Sequence, residues 1–288
     1  MDNQNKLAKV NNNTVGKNSL KAMVNDERTK KKFQEMLGNK AQGFLVSLVN
    51  TIGGNTQLQQ ADPNSVLKAG AIAATLDLPI DPNLGFAYIV PYNNKGKNEA
   101  QFQMGYKGFI QLAIRSGQYR KINITELYEG QFTSYDPITD VLEYNLSNKL
   151  SDTVTHYIAY FQTINGFEKY NVMSKEDVIA HAKKFSKTFS SKYSSWTTNF
   201  ESMAKKTVLK LLLSKFGILS IEMQTAQKVD QAVIKEVNKD NIEVEYVDGN
   251  ENADTTTAIE VETVTETNDF EEKNTEEEIE DNGNPFLE

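Results

Sequence analysis

The stretch that decides the fold runs from Phe86 to Arg115. Phe86-Ala-Tyr-Ile-Val-Pro-Tyr92 is β-branched and aromatic, Asn93-Asn94-Lys95-Gly96 is a turn cluster, and Glu99-Ala-Gln-Phe-Gln-Met104 returns as an alternating run. The three pieces predict a β-hairpin, and Pro91, which has no N–H for a ladder, puts its strand at an edge or interrupts it. Gly105-Tyr106-Lys107-Gly108 then leads into a short helix from Phe109 to Arg115, stopped by Ser116-Gly117.

Upstream the apolar period is helical. Phe33, Met36 and Leu37 form one stripe closed by Gly38; Phe44, Leu45, Leu48, Val49 and Ile52 form another, ended by Gly53-Gly54. A third helix opens at Asp62-Pro63 and runs to Leu76. Downstream, strands are expected at 119–128, 141–146, 154–164 and 168–173, the last two joined by an Asn165-Gly166 turn. Ser174 with Asp177 makes a capping-box start for a helix to Phe185. A long helix from Ser195 to Phe216 and an amphipathic segment from Met223 to Val237 follow. Helices, then a sheet with an inserted helix, then helices predict an α+β fold: an antiparallel sheet with a β-hairpin and an inserted helix, backed by a long helix.

Charge sets the domain boundaries. The chain has 288 residues and a formal net charge of −8, but from Lys239 onward 18 acids face 2 lysines, a net −16. Residues 1–238 hold the remaining 29 Lys+Arg against 21 Asp+Glu, a net +8. We expect a flexible segment at 1–27, a basic core at 28–238 and a disordered acidic tail at 239–288. No apolar run is long enough for a membrane span and the N-terminus lacks an apolar signal core, so a cytoplasmic location is expected.

Much chemistry is excluded. Without cysteine there are no thiolate sites, and two histidines, His156 and His181, leave little for metal binding or proton relays. A phosphate loop of the form GxxxxGK[ST] fails at both Gly-Lys pairs, because Asn98 follows Gly96-Lys97 and Asn18 follows Gly16-Lys17. The carboxylate pairs Asp77/Asp81 and Asp136/Asp140 sit in turns, where Asp is common because it bonds local backbone N–H groups. The expectation is a protein that is not an enzyme and has no cofactor and no dedicated site for Mg²⁺.

What remains is cationic. Lys107, Arg115, Arg120 and Lys121 form one cluster. Lys183, Lys184, Lys187 and Lys192, interleaved with Phe185, Phe189, Tyr193 and Trp196, form a second. Lys205, Lys206, Lys210 and Lys215 on the long helix form a third. Any one run reads equally as a solvated face; three, with no acid inside them and in a basic body, point to a nucleic acid. Interleaved aromatics fit a single-strand reader that stacks bases, although most of these rings are needed for packing. Tyr106 is the ring expected at the surface. Gly105 and Gly108 read either as a phosphate cradle at a helix start or as a plain tight turn.

Three segments carry a resemblance: Ala74 to Tyr92, Glu99 to Tyr119, and Trp196 to Leu213. In order and spacing they resemble the RecT family of phage and prophage single-strand annealing recombinases, most nearly those of low-GC Gram-positive prophages. The resemblance covers about 30–225 of the chain. It implies an ATP-independent protein in a bacterial host that binds single-stranded DNA and pairs it with a complementary strand. Such a protein would hold the annealed duplex intermediate in the basic groove of a ring or helical filament. It would act beside a phage exonuclease and with a host single-strand-binding protein, and the acidic tail reads either as an electrostatic competitor for the groove or as a docking arm. The implied core is similar to that of the Red beta and Rad annealing proteins. On this footing Lys107, Arg115, Lys205, Lys206 and Lys210 are expected in the DNA groove. Gln103, Tyr106, Arg120, Lys121, Lys187, Lys192 and Lys215 join them as DNA-binding candidates, and hairpin 86–104 is a candidate wedge between bases. The alternative is a replication-accessory protein that binds single strands without annealing them.

Overall fold

The computed structural model describes residues 20–94, 96–192, 194–230, 232–237 and 242–246. Five helices come first: α1 (Leu20–Asn25), α2 (Glu27–Leu37), α3 (Ala41–Gly53), α4 (Thr56–Gln59) and α5 (Pro63–Thr75). Their starts are chemically encoded. Asp26, Asn55 and Asp62 each accept from two backbone N–H groups of the turn they open, and Pro63 occupies the first turn of α5, where no N–H is required. α1 falls within the segment expected to be flexible; 1–19 lie outside the described residues.

The hairpin is present as β1 (Ala87–Asn94) and β2 (Lys97–Met104), paired from Ala87↔Met104 to Asn94↔Lys97. Two later strands, β8 (Ala232–Val237) and β9 (Ile242–Tyr246), extend it to a sheet of order β1-β2-β8-β9. β1 is the edge strand, as Pro91 requires. α5 covers this sheet, and Ser65 accepts the Ala100 N–H at 2.8 Å. With Phe102 and Met104 buried and β2 central, these side chains of the hairpin are core and not free to enter a base stack.

After α6 (Tyr106–Arg115) a second antiparallel sheet forms, with order β3-β6-β7: β3 (Tyr119–Tyr128), β6 (Val154–Thr163) and β7 (Glu168–Ser174). β4 (Phe132–Asp136) and β5 (Val141–Tyr144) make a separate ribbon. The β6–β7 reversal keeps three residues, 164–166, between Thr163 and Phe167, whose backbones bond at 2.8 Å. Both halves of the capping box at Ser174 and Asp177 open α7 (Lys175–Phe185).

Two expectations are corrected. The long helix is broken at Asn199 (φ −149°, ψ 55°), giving α8 (Ser195–Thr198) and α9 (Phe200–Phe216). The segment 223–237 is not one helix: α10 (Ile221–Val229) ends at Asp230, and β8 follows as a strand bound to β2. β9 stands beyond the expected boundary at 238, inside the segment expected to be a disordered tail; 247–288 lie outside the described residues.

α9 is the spine of the core. It packs on β6 and β7 along one side and on α6 along another, so Met203, Ala204, Val208, Leu209, Leu212 and Leu213 are all buried. A helix covered on two sides has little room for a solvated stripe.

Candidate nucleic-acid interface

The cations of α9 are mostly occupied. Lys206 is 4% exposed and donates to Asp230 Oδ1 at 2.8 Å; Lys210, one turn on, donates to Asp230 Oδ2 at 2.7 Å. The fully buried Asp230 carboxylate also accepts the Met104 N–H at 2.9 Å, tying α9 to β2 just past the end of α10. Burial alone would raise the Asp230 carboxyl, but the charges of Lys206 and Lys210 outweigh it and hold the group at about 2. Burial pushes the Lys206 ammonium down, with Asp230 opposing. This is a core ion triad. Lys206, expected in a DNA groove, is instead a buried structural cation, and Lys210 shares its carboxylate.

Lys205 is half-buried against Glu126 Oε2 at 2.6 Å. Burial would raise Glu126; the Lys205 bond and charge bring it below the ordinary carboxylate value. Arg115 reaches back to the end of α5, where it donates to the carbonyls of Leu76 and Asp77 and lies 3.6 Å from the Asp77 carboxylate. That carboxylate also binds Lys40 at 3.0 Å, and Asp77 sits at φ +48°. Arg115 therefore caps a helix C-terminus, where orphan carbonyls and the helix dipole favour a cation.

Gly105 and Gly108 have a packing role. A Cβ on Gly105 would lie 2.1 Å from the Gly85 carbonyl oxygen, and one on Gly108 2.2 Å from that of Phe86. Both N–H groups are spent inside the protein, Gly105 on Phe86 and Gly108 on Gly105. The glycines let the start of α6 lie against the 85–86 backbone, so neither of these two N–H groups is left for a phosphate.

The exposed candidates fall into two places. Lys107 is exposed beside half-buried Tyr106, whose ring centroid lies 6.0 Å from Lys205 Nζ. One turn before Lys205, Glu201 accepts from Tyr157 Oη at 2.7 Å, and the Tyr157 ring is 6.4 Å from Phe200. Phe200 neighbours Lys175 Nζ (5.5 Å) and Trp196 (5.7 Å), and Trp196 meets Phe189 at 5.8 Å. The segment around Phe189 carries exposed Lys183, Lys184, Lys187 and Lys192. A path of cations and rings thus leads from the start of α6, over the first turns of α9, to the α7–α8 connection. Burial first, then the charges of Lys210 and Lys184, hold the nearby His181 imidazole below its ordinary value, the sign expected in a positive field. Tyr193 lies outside the described residues, and Trp196 is buried.

Arg120, Lys121 and Lys215 stand at the opposite end of β3 and α9. There Tyr119 Oη donates to the Ile218 carbonyl at 3.1 Å, whereas Glu126, seven residues along β3, meets Lys205. Seven strand residues span roughly 23 Å, so this second group is not continuous with the first. Gln103 is half-buried on β2 opposite Tyr88, a neighbour of Tyr106 and Lys107.

No group of three or more potential metal-binding side chains occurs among the described residues. The turn aspartates serve local structure: Asp81 accepts from the Asn83 N–H, Asp136 from the Ile138 N–H, and Asp140 binds Tyr135 Oη and Lys169. Among the described residues no helix is long and apolar enough to cross a membrane.

A family model described as the RecT family matches residues 42–246. The chain is 46% identical over 208 residues to "Uncharacterized protein YqaK" of Bacillus subtilis, covering 72% of this chain and 70% of that protein. It is 31% identical over 179 residues to "Protein RecT" of Escherichia coli, covering 60% of this chain and 65% of that protein.

Proposed function

The chain belongs to the RecT family, whose members are DNA-recombination proteins that anneal single strands, and from that premise we propose its working mode. It binds single-stranded DNA without ATP, as a homo-oligomer in a ring or helical filament, and pairs the bound strand with its complement. The observation that carries this reading is the pair of exposed cation groups, Lys107 beside half-buried Tyr106 and Lys183, Lys184, Lys187 and Lys192 beside half-buried Phe189, on either side of the first turns of α9. The two groups would neutralise phosphates, and the stretch between them, where Lys205 is already matched by Glu126, would meet sugars and bases more than phosphates. Backbone binding of this kind leaves Watson–Crick edges open, so the second strand is selected by pairing and not by the protein.

The same reading gives the protein no catalytic residue and no cofactor; Mg²⁺ would screen the two strands from each other. Its partners would be the annealed duplex intermediate, a phage exonuclease that supplies the single strand, and a host single-strand-binding protein reached by the acidic segment beyond β9. The test is the rate at which two complementary oligonucleotides join, with and without ATP. Acceleration well above the spontaneous rate in both conditions is expected. Tight strand binding with no acceleration would instead assign a replication-accessory role.

A further inference from the structure

The chain has two histidines and no cysteine, so few of its side chains can change charge between about pH 5 and 8. The two histidines stand in opposite surroundings. His156, on β6, stacks on Phe132 at 3.8 Å and its Nδ1 shares a hydrogen bond with Thr155 Oγ1 at 3.1 Å. Its charged neighbours are the carboxylates of Glu176 and Asp177. His181, on α7, is half-buried, and among the described residues neither of its ring nitrogens has a hydrogen-bond partner. Its ring lies 4.5 Å from that of exposed Phe185, one turn on, and Lys184 Nζ lies 5.0 Å from the same Phe185 ring. Imidazole, phenyl and ammonium thus form one cluster near the end of α7, with exposed Lys183 and Lys187 beside it. Residues 178–200 hold these lysines and Lys192, and no acid.

α7 packs on β6, β7 and α9. Burial first, then Lys210 of α9 and Lys184 of α7, disfavour an imidazolium at His181. Lys210 shares its charge with Asp230, which Lys206 also binds. Asp177, one turn before His181, is spent on the start of its own helix, where it accepts from Ser174 Oγ at 2.7 Å. β6 brings His156. β7 holds its charged pair, Glu168 and Lys169, at the strand end away from α7, on Tyr160 and Asp140. A phosphodiester is the chemistry that reverses this balance. Placed among Lys183, Lys184 and Lys187, it would offset the cations that keep the imidazole neutral and accept a charge-assisted hydrogen bond from an imidazolium N–H.

We propose that His181 is a further strand-binding residue, which takes up a proton from solvent as a phosphate of the strand enters the α7 cation cluster. The inference rests on the strand-binding reading and deepens it, because it makes the cluster a proton-linked phosphate site. The sign follows from linkage. The complex holds the extra proton, so affinity is constant above the imidazole's value in the complex and rises as pH falls through that value. It levels off below the depressed value of the free protein. A single proton limits the rise to about tenfold per pH unit.

The test uses the full-length protein and an oligothymidylate, whose bases and phosphodiesters keep their charge between about pH 5 and 8. Affinity is read by fluorescence anisotropy across that window at constant ionic strength. Wild type should bind severalfold more tightly at the acidic end, and His156→Gln should keep that slope. His181→Gln should bind as wild type does at the alkaline end and show no slope. Calorimetry of wild type needs no variant: strand binding in two buffers of different ionisation enthalpy should show a heat difference of the sign of proton uptake. A flat wild-type profile, a His181→Gln profile as steep as wild type, or equal heats in the two buffers would overturn the proposal while leaving strand binding intact. Absence of binding at every pH would overturn the strand-binding reading, and the proposal with it.

Discussion

The two ends of α9 carry the same residue type into opposite circumstances. Over its first three turns Lys205, Lys206 and Lys210 all meet carboxylates, Glu126 for the first and Asp230 for the others. At its last turn Lys215 is exposed beside exposed Phe216 and has no salt-bridge partner among the described residues. Where the helix is enclosed by other elements, an ammonium can persist only if a neighbour neutralises it. Where the helix emerges, a lysine is free to meet another molecule. A lysine stripe on a helix therefore says little about DNA until the far side of the stripe is known.

The largest effect expected from this contrast is at Asp230. Asp230→Asn would strand Lys206 as an uncompensated buried cation and should cost about 3–5 kcal/mol, read as a lower urea midpoint. The pair Asp230→Leu with Lys206→Met, which removes the two fully buried charges and leaves only the partly exposed Lys210, should cost distinctly less, although Met104 N–H then loses its acceptor. Equal stability of Asp230→Asn and wild type would mean that the triad does not hold the core. Charge reversal at Lys206 follows the same logic: the protein should unfold before its DNA binding can be read.

The second effect is a pH dependence with a definite sign. The folded Asp230 carboxyl is held at about 2, below its ordinary value near 4. Its contribution is complete above the unfolded value and is lost as pH falls from 4 through 2, about 2 kcal/mol in all. The double variant without the triad should lose less stability across that window, as followed by unfolding titrations at each pH. A double variant that falls as steeply as wild type would put the acid sensitivity elsewhere, in Glu126 for instance.

These two effects also show why the site is less legible in the sequence than the fold. The hairpin, the Pro63 helix start and the Ser174–Asp177 capping box are local signals, and each is where the residues place it. The β8 strand is not local. Its neighbour β2 lies more than a hundred residues earlier, and the amphipathic run of α10 continues without a strong breaker into Ala232–Val237. The lysines mislead for a similar reason. Clusters without internal acid look free, but Asp230 reaches Lys206 and Lys210 from 24 and 20 positions away, and Glu126 reaches Lys205 from strand β3. Lys107 is exposed, whereas Tyr106, expected at the surface, is half-buried against the core, because the two glycines draw the start of α6 onto the 85–86 backbone.

A third, smaller effect separates the exposed cations of the α6 start and the α7–α8 connection from the enclosed ones. Lys107→Glu combined with Lys187→Glu should weaken single-strand binding on the order of tenfold or more, and should flatten its salt dependence by about one unit of slope for each phosphate no longer neutralised. Unfolding midpoints should stay near wild type, because both side chains are exposed. An unchanged salt slope would remove these lysines from the strand path.

The smallest effect on the fold, and the sharpest on the contrast, is expected at Lys215. Lys215→Gln should leave stability within about 0.5 kcal/mol of wild type, as for an exposed residue with no special role. Affinity for an oligothymidylate, read by fluorescence anisotropy, should also stay near that of wild type, because Lys215 stands with Arg120 and Lys121 at the end of α9 away from the Lys205–Glu126 pair. If affinity falls, the emerging end of α9 joins the DNA path, and the division between the two ends reduces to enclosed against exposed.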